Sequence, residues 1–494
     1  MKKYIIYSTL ALLVLASASS CKKGYLDTSP TSSVSASDAF TTTANAMAAL
    51  NGIHRAMFVR YNSQGEFGQG SIMLYTDVMG DDFVMTGVGN GWHNNEYKWI
   101  SHRNENSALC RYGYEFYYRL IGNANLIIAN IDGAEGTPAE RSQIKGEALT
   151  YRGWAYFMLV QLYGKRYDPT QAGNNTQPGV SLVLTPTTEG LPRASVEEVY
   201  IQINKDLDEA IGLLTSSRPN KSHFNRNVAQ GIKARVALNQ GKWNEAATLA
   251  AAARSGFTLM TNTQYQDGFA SYTNPEWMWG SRQPEDQATF FASYHAYISC
   301  NFNSTNIRTN PKAINSSLYN MMSATDVRRL MWHPTPQAGV TVTPPGGVLQ
   351  PYMTQKHRLP GVPSTSVAGD VPHMRAGEMY LIEAEARARN NQDALAQQAL
   401  FTIMQNRDPN YVMSTNTGQA LIDEIMINRR IELWGEGFRY FDLKRLNLPL
   451  NRNGANHQTA LALIFDVAAG SNMWEWLIPR YELDANPQSS QNPL

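Results

Sequence analysis

At 494 residues the chain is long enough for two or three ordinary domains or one large helical array. Its 42 Lys and Arg balance 41 Asp and Glu for a formal charge of +1, so no field argues for nucleic acid or an acidic membrane surface as a partner. Aromatic residues are plentiful (25 Tyr, 16 Phe, 10 Trp) while charged residues make up only 17%, a balance that suits an exported protein offering aromatic platforms to a ligand.

Lys2 and Lys3 precede an apolar run from Ile5 to Ala16, which is too short to span a bilayer and typical of a secretion signal. Ala18, Ser19 and Ser20 then lead to Cys21. A small-residue site ending in cysteine resembles a bacterial lipobox, in which the cysteine is lipidated and becomes the first residue; Ala18 stands where that pattern usually has leucine. Residues 1–20 are therefore expected to be a signal peptide. Residues 21–36, lipidated at Cys21 and rich in Ser, Thr, Gly and Pro, are expected to be a flexible tether. Cys110 and Cys300 have the option of pairing in an oxidising compartment, but the expectation is two buried small hydrophobes.

Ser37 to Tyr61 reads as a helix, with Phe40, Met47, Leu50, Ile53 and Met57 at helical spacing. From Asn62 to Trp99 the pattern collapses among repeated glycines, which predicts a long irregular excursion of the kind that often carries function. Tyr112 to Ile131 returns to helix. Thr137-Pro138-Ala139-Glu140 is a capping box with proline at the first helical position, opening a helix that Gly164 stops. Ser195 to Glu198 is a second capping box, followed by Val199, Ile203, Leu207, Ile211 and Leu214 on one face. Val228 to Ser255 reads as two helices around Gly241-Lys242-Trp243-Asn244-Glu245-Ala246, a turn resembling that of a tetratricopeptide repeat. Met379 to Arg407 repeats the idea, with Asn390-Asn391 at the turn. Two segments, 257–307 and 333–372, lack helical order. Within the first, Trp277 and Trp279 share a face of a predicted strand and are expected to pack in the core.

The stretch Glu424 to Asn447 mixes charge with aromatics unusually tightly. Gly435 and Gly437 break it into two helices. Arg429 with Glu432, and Arg439 with Asp442, stand three apart and share helix faces. Such charges must find partners or cost several kcal/mol (order of magnitude), and the stretch reads as a structural clamp. Arg-Arg-x-Glu-Leu-x-x-Glu-Gly-x-Arg-x-x-Asp-Leu-x-Arg, Arg429 to Arg445, also resembles the C-terminal signature of the SusD/RagB family. The helix GEALTYRGWAYFMLVQLYG and the closing Trp476-Leu477-Ile478-Pro479, Asn486-Pro487 and Gln491-Asn492-Pro493 resemble further blocks of that family, so the resemblance runs from the Cys21 region to Pro493.

The resemblance implies a mainly α fold: tetratricopeptide-like helix pairs in a right-handed solenoid, with irregular loop and short β-strand insertions. It makes 37–494 a single domain, with helical repeats at about 37–61, 112–163, 195–255 and 375–447 and ligand-binding insertions at about 62–111 and 256–374. It also implies a lipid-anchored outer-membrane protein at the cell surface that binds a glycan and delivers it to a SusC-like TonB-dependent transporter without cleaving bonds. Lys22 and Lys23 follow Cys21 in place of the acidic run that often signals export in this group, so surface exposure rests on the family alone.

Catalytic patterns are absent: there is no Gly-x-Ser-x-Gly elbow, no phosphate loop and no His-Glu-x-x-His. The nine histidines are scattered, none at metal-ligand spacing, and neither a metal nor a cofactor is expected. Asp77, Asp81 and Asp82 are compatible with calcium, with sugar hydroxyls or with a solvated turn; the turn and the sugar are favoured. Sugar rings stack their C–H faces on aromatics and take Asn, Asp and Arg at the rim. The candidate ligand contacts are therefore Trp92, Asn94 and Asp82 in the first insertion, and Arg282, Tyr294, Tyr297 and Trp332 in the second. Peptide capture is the main alternative. A secreted glycosidase, needing two carboxylates at fixed separation, and a purely structural lipoprotein are weaker ones.

Overall fold

A computed structural model describes residues 40–361, 366 and 368–494. The expected signal peptide, Cys21 and the tether lie outside these residues. The first helix, Thr43–Ala56, is shorter than the sequence pattern: Thr42 caps it, accepting from the Asn45 amide. Both expected capping boxes form. Thr137 N donates to Glu140 Oε2 (2.8 Å) at the head of Pro138–Tyr163, and Ser195 N donates to Glu198 Oε2 (2.8 Å) at the head of Val196–Leu213. Ala108–Asn130 packs on Pro138–Tyr163, which packs on Val196–Leu213. Arg226–Asn239 pairs with Trp243–Ala253 across Gly241, whose φ of 70° is the left-handed turn that the glycine permits. Ala376–Arg389 pairs with Asp393–Met404 through Asn391 (φ 57°) and is flanked by Trp243–Ala253 and Gly418–Glu432.

The expected excursion over 62–99 needs correction. It contains the helix Gln69–Val78, every residue of which is buried. A helix buried on every side, with Gln69, Ser71, Thr76 and Asp77 among its apolar residues, shows no one-sided 3.6-residue apolar pattern, so its glycine-rich surroundings masked it. Beyond it, Phe83–Met85 is the outer strand of a four-stranded antiparallel sheet running Phe83–Met85, Lys312–Ile314, Met353–Thr354, Trp332–His333. Three of these strands come from the second insertion, so this small sheet ties the two insertions together. Val84 faces Ala313 in the register.

Trp277–Ser281 pairs with Val371–Arg375, with register shifts on either side of Trp279. Both Trp277 and Trp279 are buried, as their spacing predicted. One large apolar core lies within the helical array, a second under the two insertions, and a third between the Ala376–Arg389, Asp393–Met404 and Gly418–Glu432 helices. Cys110 and Cys300 are free and buried, and burial pushes the Cys110 thiol up to about 11.

Candidate functional site

Two charged or aromatic constellations stand out, and they lie in different environments. The first is the stretch from Arg429 to Arg445. Its charges do find partners, but neither Arg429 with Glu432 nor Arg439 with Asp442 is the ion pair that forms. Glu432 is enclosed by three guanidiniums: Arg375 Nη1 (3.1 Å), Arg407 Nη2 (3.1 Å) and Arg328 Nη1 (3.5 Å). Glu276 takes Arg375 (2.5 Å) and Arg407 (2.9 Å), and Glu436 takes Arg375 and Lys356. Arg429 donates to Asp442 (2.8 Å), which also accepts from Arg445. Burial alone would raise the carboxyls of Glu432 and Asp442. The guanidiniums outweigh it, holding Glu432 far below the usual range and Asp442 at about 2.

The aspartate cluster belongs to this same network. Gly437 N donates to Asp77 Oδ2 (2.9 Å), Arg439 pairs with Asp81 (2.6 Å) and Arg430 with Asp82 (2.6 Å). Asp81 is held at about 2, burial working against Arg439 and losing. All three aspartates are buried, so neither the solvated turn nor the sugar rim describes them. A cavity of about 70 Å³ lies beside the Gly437-Phe438 turn, lined by Trp154, Trp279, Arg235 and Arg429. That is room for a few waters rather than a sugar ring.

The second constellation is on the insertions. Gly91, with φ at 91° and open space where a Cβ would be, turns the chain so that Trp92 lies half-exposed against Gly65 and edge-on to Tyr297 (centroids 5.9 Å). Tyr297 in turn stacks on Phe67 (5.5 Å, 11° between planes). His93, in the left-handed region at φ 67°, wedges against Tyr75 and Tyr297; burial pulls its imidazole down to about 3, so it is a neutral ring. Asn94 Nδ2 donates to Val88 O (3.2 Å), closing the loop on itself. Asn306 Nδ2 donates to Asn90 Oδ1 (3.1 Å), which joins this loop to the Thr305–Thr309 helix of the second insertion. The result is a half-buried indole on a loop that carries the amides of Asn90, Asn94 and Asn95.

The seven sequence candidates therefore separate. Trp92 and Asn94 sit together at the surface, with Tyr297 as the buried support beneath the indole. Asp82, Tyr294 and Trp332 lie in the core around Trp434: the Trp434 indole donates to Asp82 O (2.9 Å), the Tyr294 hydroxyl donates to Gly435 O, and Trp332 meets Trp434 edge-on at 5.6 Å. The polar groups of Asp82 and Tyr294 and the ring of Trp332 are engaged in this core, while the Trp332 Nε1–H has no protein partner. Arg282 is exposed at the end of the Trp277–Ser281 strand.

Sequence reasoning missed Phe290 and Phe291, 50% and 42% exposed, whose rings meet at 4.5 Å and rest on buried Phe302. Two adjacent aromatics in a turn-rich, exposed segment were the available signal.

Comparison with known proteins places this architecture. Residues 24–238 match a family model described as "Starch-binding associating with outer membrane" (SusD-like_3), and residues 135–494 match the model of the SusD family (SusD_RagB). SusD-like protein P2 of Formosa agariphila is 23% identical over 92% of this chain and 93% of its own length. A SusD-like carbohydrate binding protein from Bacteroides vulgatus superposes with a TM-score of 0.78 at 26% identity, covering 91% of this chain and 98% of that one. A laminarin binding SusD-like protein shares the fold with a TM-score of 0.69, at 21% identity over 92% of this chain and 100% of that one.

Proposed function

The chain belongs to the SusD family of non-catalytic binding proteins, and on that premise we propose that it captures a glycan at the Trp92 face and hands it to a SusC-like TonB-dependent transporter. The observation that carries this reading is the half-buried indole of Trp92 on a loop with Asn90, Asn94 and Asn95, in insertions joined by the small sheet. A sugar ring lays its C–H face on the indole, while Asn94 and the exposed Asn90 and Asn95 meet its hydroxyls. Phe290 and Phe291 supply a second platform for a longer chain. Arg282 is retained as an outer contact. Asp82, Tyr294 and Trp332 act instead as supports, since each is buried and engaged elsewhere. Capture is by stacking and hydrogen bonding, with no bond cleaved.

In this reading the helix pairs stack as tetratricopeptide-like repeats in a right-handed solenoid and present a surface to the transporter. The signal peptide, residues 1–20, is removed, and the lipid on Cys21 holds the protein at the outer membrane through the 21–36 tether. Titration calorimetry of the soluble form, starting after Cys21, against a panel of oligo- and polysaccharides tests the proposal. Binding to one saccharide class that Trp92→Ala weakens about 30-fold, about 2 kcal/mol, is the expected result. Silence across the saccharides with a response to peptides would replace the glycan by a peptide.

A further inference from the structure

Three titratable side chains outside both constellations converge in the helical array. His54 lies in the last turn of Thr43–Ala56, Glu147 in the middle of Pro138–Tyr163, and His223 just before Arg226–Asn239. All three are buried. His54 Nε2 stands 3.1 Å from His223 Nδ1 and 3.3 Å from Glu147 Oε2, and His223 Nδ1 is 3.1 Å from both Glu147 oxygens.

In the clamp, every buried carboxylate described above that pairs with a cation meets Arg or Lys. Among the described residues, Glu147 has no such partner: its ion-pair contacts are the two imidazoles, supplemented by the Phe224 amide (2.9 Å) and the Gln143 side chain (2.9 Å). One proton on a ring nitrogen satisfies only part of this triangle, because three acceptor-capable atoms point at one another. A cation satisfies all three at once. An ion about 2.0–2.1 Å from each atom stands about 1 Å off their plane, and the edges approach the ~3.4 Å of a tetrahedron with such bonds.

One tautomer of His54 suits an ion. The Tyr151 hydroxyl lies 2.6 Å from His54 Nδ1, so an N–H held there leaves the Nε2 lone pair facing the centre.

We propose that His54 Nε2, His223 Nδ1 and a Glu147 carboxylate oxygen form a binding site for a divalent transition ion, zinc by its ligand set, with water in the fourth position. Two imidazoles and a carboxylate are donors suited to zinc, and harder ions such as calcium prefer an all-oxygen set. The ion clips the first described helix, the one that follows the tether, to the helical array behind it. It takes no part in glycan capture.

The soluble protein, stripped with a chelator, is titrated with Zn²⁺ by calorimetry, and its metal content is measured after desalting. The proposal expects one zinc per chain, an apparent Kd of about 1 μM or tighter, and a rise in the melting temperature on loading. His223→Ala and His54→Ala are expected to lose at least about tenfold in zinc affinity, equivalent to about 1.4 kcal/mol. Should either variant fail to fold, Co²⁺ added to the wild-type protein decides, since the site predicts the visible absorption of a four-coordinate ion with nitrogen ligands. No zinc uptake by the folded wild-type protein, uptake undiminished in a folded variant, or a purely six-coordinate Co²⁺ spectrum overturns the proposal. Glycan titrations with and without zinc are expected to agree, which keeps this test separate from that of the glycan face.

Discussion

Around Glu432 charge is sunk into the core and matched almost group for group, whereas the loop around Trp92 carries the amides of Asn90, Asn94 and Asn95 at or near the surface. The contrast has a physical basis. A buried carboxylate is tolerated only when guanidiniums surround it at fixed distances, so the clamp commits the C-terminal signature, the Trp277–Ser281 strand and the Asp77–Asp82 turn to one relative geometry. An indole with amides at its rim imposes no such demand and accepts hydroxyls in several arrangements. One region fixes the frame, and in the proposed reading the other meets the ligand.

The largest effect that would break this division is expected at Glu432. Glu432→Ala leaves Arg375, Arg407 and Arg328 facing an empty centre, and chemical denaturation should show a loss of about 3–5 kcal/mol, or failure to fold. Acid probes the same network without mutation. The folded-state carboxyls of Asp81 and Asp442 sit at about 2, below the usual unfolded value, so each stabilises the fold above about pH 4. That stability is lost as pH falls from about 4 towards 2, about 2 kcal/mol per carboxyl, and near-ultraviolet circular dichroism through this window should register it.

At the other region the readout changes. Trp92→Ala should lower glycan affinity by about 2 kcal/mol, near 30-fold, while costing less than about 1 kcal/mol in stability. Asp82→Asn sharpens the boundary between the two: it should cost about 1–2 kcal/mol in stability and leave the affinity of the folded protein unchanged. Asn94→Ala, removing one rim amide, is expected to weaken binding by about 0.5–1.5 kcal/mol, measured by the same titration.

The two regions also differ in how far they can be read from the sequence. The Arg429–Arg445 signature stood out because charge at that density beside Trp434 and Phe438 demands partners. The identity of the partners was not legible, because Arg328, Arg375 and Arg407 lie far apart in the sequence and only packing brings them to Glu432. Helix pairs with capping boxes and glycine turns were plain, while Gln69–Val78, buried on every side, had no periodicity to reveal it. For the ligand face the sequence supplied candidates but not a means to sort them. Tyr294 and Tyr297 stand three apart on neighbouring turns, yet one bonds the Gly435 carbonyl in the core and the other lies directly beneath Trp92. His54, Glu147 and His223 were invisible as a group, since only the packing of three separate elements brings them together.

Hydrogen–deuterium exchange with and without the tightest-binding saccharide tests the division most directly. The account predicts slowed exchange over residues 86–95 and 288–310, with the 429–445 stretch unchanged because it is already rigid. Protection concentrated in 429–445, with no change in the Trp92 loop, would contradict it.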